Sequence, residues 1–301
     1  MSGKEIAALL SQAAARLAEA GVESPRREAR LLLGYVLGVQ QEDIVSGRMP
    51  APASQILSSF ETALARRIAR EPLAYIVQSR EFWSLDFAVG PGVLVPRPES
   101  ETLVEEALRR FPARDGALRV ADFGTGSGCL LLAFLSERPK AQGTGIDISE
   151  DALHFAKRNA GALGLANRVQ FVGSDWMENI SGTFDAIFAN PPYIGTAEMA
   201  ALEPEVANYE PKLALDGGTD GLDAYRRIAA GLSRHLKPEG LAFFELGQGQ
   251  AESLGGILRQ QGLTAEGTVC DLAGIPRCLV AGMAAAGTAP KKGLALETRS
   301  G

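Results

Sequence analysis

The tetrapeptide Asn190-Pro191-Pro192-Tyr193 follows the apolar run Phe184-Asp185-Ala186-Ile187-Phe188-Ala189, and its residue types suit the task of holding a planar NH2 group against a methyl donor. Two consecutive prolines fix φ and give up their own N–H groups, and Pro191 restricts Asn190 to extended backbone, so the loop is stiff and its carbonyls are free acceptors. The Asn190 side-chain oxygen and the Pro191 carbonyl can each accept one hydrogen from an amino or amide nitrogen. Tyr193 adds a flat face on which a planar group can rest. An ordinary turn after a buried strand would use the same residues, so the tetrapeptide does not decide the matter by itself.

A second cluster, Asp122-Phe123-Gly124-Thr125-Gly126-Ser127-Gly128, follows an apolar strand and opens a helical stretch from Cys129 to Leu135. Glycines there let the backbone approach a ligand at the carboxyl edge of a sheet, where open α/β folds bind. The spacing is Gly-x-Gly-x-Gly and departs from the Gly-x-Gly-x-x-Gly of dinucleotide enzymes. Asp147 ends the next strand, 19 residues after Gly128, where a carboxylate can accept hydrogen bonds from both hydroxyls of a ribose. A bland turn with a helix-capping Asp is the competing reading. Ser174-Asp175-Trp176 follows the third strand; Asp175 can accept from an adenine amino group and Trp176 can stack on the ring, although a core Trp fits equally well. Four successive strands ending in a glycine-rich loop, Asp147, Asp175-Trp176 and Asn190-Tyr193 point to S-adenosyl-L-methionine beside an NH2 acceptor. An NAD enzyme would leave Asn190-Tyr193 unexplained.

The elements that must position these residues are legible from periodicity. Leu17, then Leu31 to Leu33 with Val36 and Leu37, then Phe60, Leu64 and Ile68 recur at helical spacing between Lys4 and about Arg70, with Ser24-Pro25 as a helix start and Pro50-Ala51-Pro52 as a break. Arg66, Arg67 and Arg70 form either a basic patch or, the preferred reading, a solvated helix face. From Glu71 to Pro98 the period shifts towards two around Gly90-Pro91-Gly92, which predicts a hairpin with its turn there. From Glu99 on, strands alternate with helices, the signature of a parallel sheet covered on both faces. Strands are read at 118–123, 142–147, 169–173, 184–190, 240–246, 264–271 and 277–282, the last two as an antiparallel hairpin at the sheet edge. The expected domains are a helical one at 1–70, a hairpin linker at 71–98, a catalytic α/β domain at 99–283 and a disordered tail at 284–301.

Composition narrows the class. The chain has 301 residues, 46% of them hydrophobic and 22% charged, as in ordinary globular proteins. No apolar run is long enough for a bilayer and Met1-Ser2-Gly3-Lys4-Glu5 has no signal-peptide pattern, so a cytoplasmic location is expected. Cys129, Cys270 and Cys278 read as buried free thiols. His154 and His235, widely separated, give no zinc site and no histidine-based triad. Residues 1–85 carry net charge +1 and residues 86–301 carry -7, within a total of -6, so a nucleic-acid backbone is not the expected partner.

With these residues in view, the sequence resembles the release factor glutamine methyltransferase family, also called PrmC or HemK. Pro96-Arg97-Pro98-Glu99-Ser100-Glu101 resembles that family's segment before the first core helix, with Ser100 where Thr is usual. Glu71 to Ile76, Tyr209-Glu210-Pro211, Leu215 to Leu222 and Asp271 to Arg277 are similarly placed. The resemblance runs from about Glu71 to Gly282; the N-terminal helices match in length and character only. It implies a seven-stranded class I methyltransferase that moves a methyl group to the glutamine side chain of the Gly-Gly-Gln motif in class 1 peptide chain release factors. It also implies that Gly124, Thr125, Gly126, Ser127, Gly128, Asp147, Trp176 and Asn190 hold the cofactor, and that Asn190, Pro191, Pro192 and Tyr193 hold the glutamine, with Asn190, Pro191 and Tyr193 catalytic. The expected protein is a monomer without metal, nucleic acid or membrane. A ribosomal-protein glutamine methyltransferase shares the Asn-Pro-Pro-Tyr core, but Arg97-Pro98-Glu99 favours the release factor. A DNA adenine N6-methyltransferase would use the same loop, yet the charge disfavours it; a non-enzymatic adaptor is disfavoured by the intact acceptor loop.

Overall fold

The computed structural model describes residues 3–39, 41–46, 54–284 and 296–297. The chain forms two compact units, Met1–Ser79 with Glu203–Tyr209, and Arg80–Leu202 with Glu210–Gly301. The expected break at Pro50-Ala51-Pro52 lies outside the described residues, as does most of the tail; Leu296–Glu297 form a short strand.

The first unit opens with α1 (Gly3–Glu19), α2 (Pro25–Leu37), α3 (Gln41–Ser46), α4 (Ser54–Ile68) and α5 (Leu73–Val77). Pro25 occupies the first turn of α2, where its missing N–H costs nothing, and Gly38 ends the helix at φ 65°. The apolar stripes meet as expected: Leu17, Leu32, Leu33, Phe60, Leu64 and Ile76 are fully buried together. Arg67 departs from both readings made of it. It is buried and donates to Glu28 at 2.5 Å and to Glu205 at 2.9 Å, while Arg70 reaches Glu205 at 2.6 Å and Arg66 pairs with Glu71. The three arginines therefore form neither a free basic patch nor a solvated face. Their acceptor Glu205 comes from a segment distant in sequence, which no local pattern announces.

The second unit begins with β1 (Ser79–Phe82) and β2 (Leu85–Ala88), a two-stranded sheet. Its turn is Trp83-Ser84, at φ 55° and 54°, and not the expected Gly90-Pro91-Gly92. Two positive φ values are what a two-residue hairpin turn requires, and here carboxylates secure Trp83, whose N–H donates to Glu101 at 2.7 Å and whose indole donates to Glu137 at 3.1 Å. Gly90-Pro91-Gly92 makes a separate turn closed by Val93 N–H to the Gly90 carbonyl.

Next in chain order come α6 (Glu101–Arg110), β3 (Arg119–Phe123), α7 (Cys129–Glu137), β4 (Gln142–Asp147), α8 (Glu150–Ala162), β5 (Val169–Gly173) and β6 (Phe184–Ala189). Then follow α9 (Pro204–Tyr209), which belongs to the first unit, α10 (Asp223–His235), β7 (Leu236–Glu245), α11 (Ala251–Gln260), β8 (Leu263–Cys270), β9 (Pro276–Met283) and β10 (Leu296–Glu297). The sheet order is β10-β8-β9-β7-β6-β3-β4-β5, with β9 antiparallel to both β7 and β8 and the other pairings parallel. The expected seven strands and the antiparallel hairpin are present, but the hairpin is not at the edge, since β10 pairs with β8 outside it.

The run Ala186-Ile187-Phe188-Ala189 is apolar throughout because both faces of β6 are covered. Ala186 and Phe188 face the core built with α6 and α7, and Ile187 and Ala189 face the core built with α10 and α11. Phe188 packs edge-on to Phe134 with ring centroids 5.6 Å apart. β3 lies between β4 and β6, and the chain leaves it towards β4 and β5 on one side before returning to β6 on the other. That reversal opens a crevice beyond the carboxyl ends of β3 and β6, the position where open α/β sheets take ligands.

Candidate active site

A cavity of about 650 Å³ occupies that crevice, lined entirely by the second unit. Its walls come from the glycine-rich loop after β3, from Asp147 to Ser149 after β4, from Ser174 to Trp176 after β5, and from Asn190 and Pro192 after β6. Parts of segments 92–97 and 211–218, Ser100, and Asp223, Ala224 and Arg227 add to the lining. The four strand ends singled out in the sequence thus converge on one space.

Gly124, Gly126 and Gly128 adopt φ of 73°, 55° and 82°, which side chains rarely tolerate. The N–H groups of Gly124 and Thr125 both reach the Ile146 carbonyl, at 2.9 and 2.8 Å, which ties the loop to the end of β4. Beneath it lies Asp122, fully buried, whose Oδ2 accepts from the Thr125 hydroxyl at 2.7 Å while Oδ1 is buried without a partner. Burial, reinforced by the charge of Asp147, raises the Asp122 carboxyl to about 7.

Asp147 accepts Gly126 N–H on Oδ2 and Ser149 N–H on Oδ1, each at 2.9 Å. The helix cap of α8 is Ser149, whose hydroxyl accepts from Ala152 N–H, so the helix-capping reading of Asp147 has no support. Asp147 lines the cavity, and each of its oxygens can accept a further hydrogen bond. Burial raises its carboxyl above the ordinary range, opposed by the backbone N–H donors. Trp176 lines the cavity and also packs against the core, at a positive φ of 51°. Its ring lies 3.5 Å from where a Cβ on Gly124 would stand. Asp175 also lines the cavity and pairs there with Arg227, at 2.6 Å.

Of the Asn190-Tyr193 loop, Asn190 and Pro192 line the cavity and Pro191 and Tyr193 do not. The Tyr193 ring packs against the core and its hydroxyl donates to Glu245 Oε1 at 3.3 Å, while burial raises the phenol. The loop is fixed from behind by the Leu215-Leu222 segment. Ile194 N–H donates to the Leu215 carbonyl at 3.0 Å, and Gly217 N–H donates to the Ile194 carbonyl at 2.8 Å. A Cβ on Gly217 would meet the Pro192 carbonyl at 2.7 Å, so glycine is required for this backbone approach.

Three residues around the site escaped the reading of single strand ends. Glu210 is buried, accepts from Arg97 at 2.6 Å and from Val95 N–H at 3.2 Å, and so clamps segment 95–97 to segment 210–211. Ser100 donates to Glu245 Oε2, and Asn190 Nδ2 donates to the Ser100 hydroxyl oxygen at 3.5 Å. Glu245 ends β7 and is almost wholly buried. A carboxylate at a strand end, the position that marked Asp147, was also present in Phe243-Phe244-Glu245. Cys270 and Cys278 are buried as expected; Cys129 is half-buried and lines the cavity, but burial pushes its thiol up to about 12.

Residues 8–77 match the family model described as PrmC N-terminal domain, and residues 100–208 match the one described as Methyltransferase small domain. A Rhodospirillum rubrum protein named release factor glutamine methyltransferase is 48% identical over 94% of this chain and 86% of its own length. This chain belongs to the release factor glutamine methyltransferase family. A Caulobacter vibrioides protein of the same name is 42% identical over 85% of this chain and 89% of its own. The fold recurs in the hMettl16 catalytic domain, solved in complex with MAT2A 3'UTR hairpin 1, at TM-score 0.56 and 17% identity over 79% of this chain and 85% of that one. As a methyltransferase of this family the chain uses S-adenosyl-L-methionine. The positive-φ glycine loop, the Asp147 carboxylate and the Trp176 ring, all on the cavity wall, fit that cofactor. No helix among the described residues is long and apolar enough to cross a membrane.

Proposed function

We propose that this enzyme methylates the side-chain nitrogen of the glutamine in the Gly-Gly-Gln motif of a class 1 peptide chain release factor, in the cytoplasm and as a monomer. The observation that supports this most directly is that Asn190 and Pro192 share one cavity with Asp147, Trp176 and Gly124 to Ser127 of the glycine-rich loop, Gly128 lying behind it against Leu132 and Ala156.

Bound there, S-adenosyl-L-methionine supplies an electrophilic methyl group. Asp147 accepts the ribose hydroxyls, and the Gly124-Gly128 backbone lets the cofactor approach closely. The glutamine amide is a poor nucleophile, because its nitrogen lone pair is delocalised into the carbonyl. Asn190 Oδ1, on the cavity wall, accepts one of its N–H bonds, which helps to fix the nitrogen and stabilises positive charge developing on it. The bound cofactor would supply the methyl group, an S–C bond being exchanged for an N–C bond, and the methylated nitrogen would be acidic enough to lose its proton to water. No general base is required. Tyr193 stands behind this loop and supports it through Glu245. The first unit serves as the recognition module for the body of the release factor, since no residue of it lines the cavity.

The test is mass spectrometry of candidate release factors after incubation with labelled S-adenosyl-L-methionine. One methyl group on the Gly-Gly-Gln glutamine is expected, and none when that glutamine is replaced by alanine. Labelling that survives the replacement would refute the assignment.

A further inference from the structure

The Pro96-Glu101 segment was singled out by resemblance, but the reaction as derived gives Ser100 no role. Ser100 is buried, as is Glu245, and they come from different elements, the turn before α6 and the end of β7. The register that pairs Ala189 with Phe244 brings Glu245 level with Asn190 on the neighbouring strand. Three side chains then form a chain of hydrogen bonds: Asn190 Nδ2 to Ser100 Oγ at 3.5 Å, and Ser100 Oγ to Glu245 Oε2. The other carboxylate oxygen accepts from Tyr193, and the Tyr225 hydroxyl donates to the Glu245 carbonyl at 2.7 Å, so this strand end is pinned on all sides.

The chemistry gives the chain a direction. The two Glu245 oxygens accept from two hydroxyls, Ser100 on Oε2 and Tyr193 on Oε1, so the Ser100 proton points to Glu245. The Ser100 oxygen can then only accept, and the part of the Asn190 amide that faces it must be the NH2. The amide oxygen is left for the cavity. Reversal would present two donors to each other, Asn190 NH2 and substrate NH2.

Resting on the release factor reading above, we propose that Ser100 and Glu245 are positioning residues that aim the Asn190 amide, so that its oxygen and not its nitrogen meets the substrate glutamine. Neither touches the reacting atoms in this role. Both act through Asn190.

The test compares Ser100→Ala, Ser100→Thr, Asn190→Ala and the Ser100→Ala/Asn190→Ala double variant in single-turnover methylation of an intact release factor, with cofactor titration and thermal unfolding of each. Loss of one neutral hydrogen bond to the amide should slow Ser100→Ala by about 5- to 10-fold in the methyl-transfer rate, with cofactor affinity and release factor KM unchanged. Ser100→Thr keeps the hydroxyl and should restore the rate. In the Asn190→Ala background, Ser100→Ala should have no further effect, because the group it aims is gone. A Ser100→Ala enzyme at full rate, or one whose loss multiplies with that of Asn190→Ala, would overturn the positioning role. A wild-type enzyme that leaves the release factor unmodified would instead overturn the substrate reading, and the purpose given to the pair with it.

Discussion

Replacing Asp147 by alanine separates a cofactor ligand from a loop fastener, and the structure sets the size of each effect. As a fastener, Asp147 holds two backbone N–H groups, from Gly126 and Ser149. Losing two such bonds costs folding about 2 kcal/mol. The loss is offset, because burial disfavours this carboxylate and raises it above the ordinary range. Stability should therefore change by no more than about 1 to 2 kcal/mol. As a ligand, Asp147 would accept two ribose hydroxyls, and hydrogen bonds to a charged group contribute about 1.5 to 3 kcal/mol each. Their joint loss weakens S-adenosyl-L-methionine binding by roughly 10² to 10⁴-fold. Isothermal calorimetry on a variant of unchanged circular dichroism measures this. Wild-type affinity would show that Asp147 only fastens the loop, and that the ribose is held elsewhere.

Asn190→Ala should lower kcat by about 10²-fold, as expected for one preorganised transition-state partner, with much less loss of cofactor affinity; Asn190→Asp, which keeps an acceptor, should retain more activity than Ala. Equal loss of binding and rate in calorimetry and single-turnover assays would refute this division. Arg67→Ala leaves Glu28 and Glu205 facing each other without their shared cation, and should destabilise the protein by about 3 to 5 kcal/mol in urea unfolding. Arg66→Ala, at a more exposed pair, should cost about 1 kcal/mol or less. Asp122 has a folded-state value of about 7, above the roughly 3.9 of an unfolded chain, so the folded state binds the extra proton between these values. Stability without cofactor should fall as pH rises from about 4 to 7 and then level off, and urea titrations of Asp122→Asn should lack this component.

The sheet was legible because strand segments such as β6, apolar from Ala186 to Ala189, alternate with helical stretches and end in residues of another kind, as expected of strands buried on both faces. The same logic brought Gly124, Asp147, Trp176 and Asn190 to one edge, where the cavity now lies. The hairpin turn was misplaced because Trp83 and Ser84 carry no residue-type signal for positive φ, whereas Gly90-Pro91-Gly92 carries a strong one. Carboxylates far along the chain hold Trp83 in place. Arg67 was misread for a similar reason: its partners lie 39 and 138 residues away, beyond the reach of any helical periodicity. Ser100 and Glu245 are individually ordinary, and only the pairing of β6 with β7 gives them a joint meaning.

The segment Glu203–Tyr209 completes the first unit although about 120 residues of the second unit precede it in the chain. During synthesis at roughly 5 to 20 residues per second, α1 to α5 emerge and then wait on the order of 6 to 25 s for α9 and its carboxylate. Throughout that interval Arg67 and Arg70 lack Glu205, and Ala69 lacks the Tyr209 hydroxyl that later donates to its carbonyl. The helical unit is thus first in order of translation but cannot be first to finish folding. Its completion reports that the chain has already been made past the Asn190-Tyr193 loop.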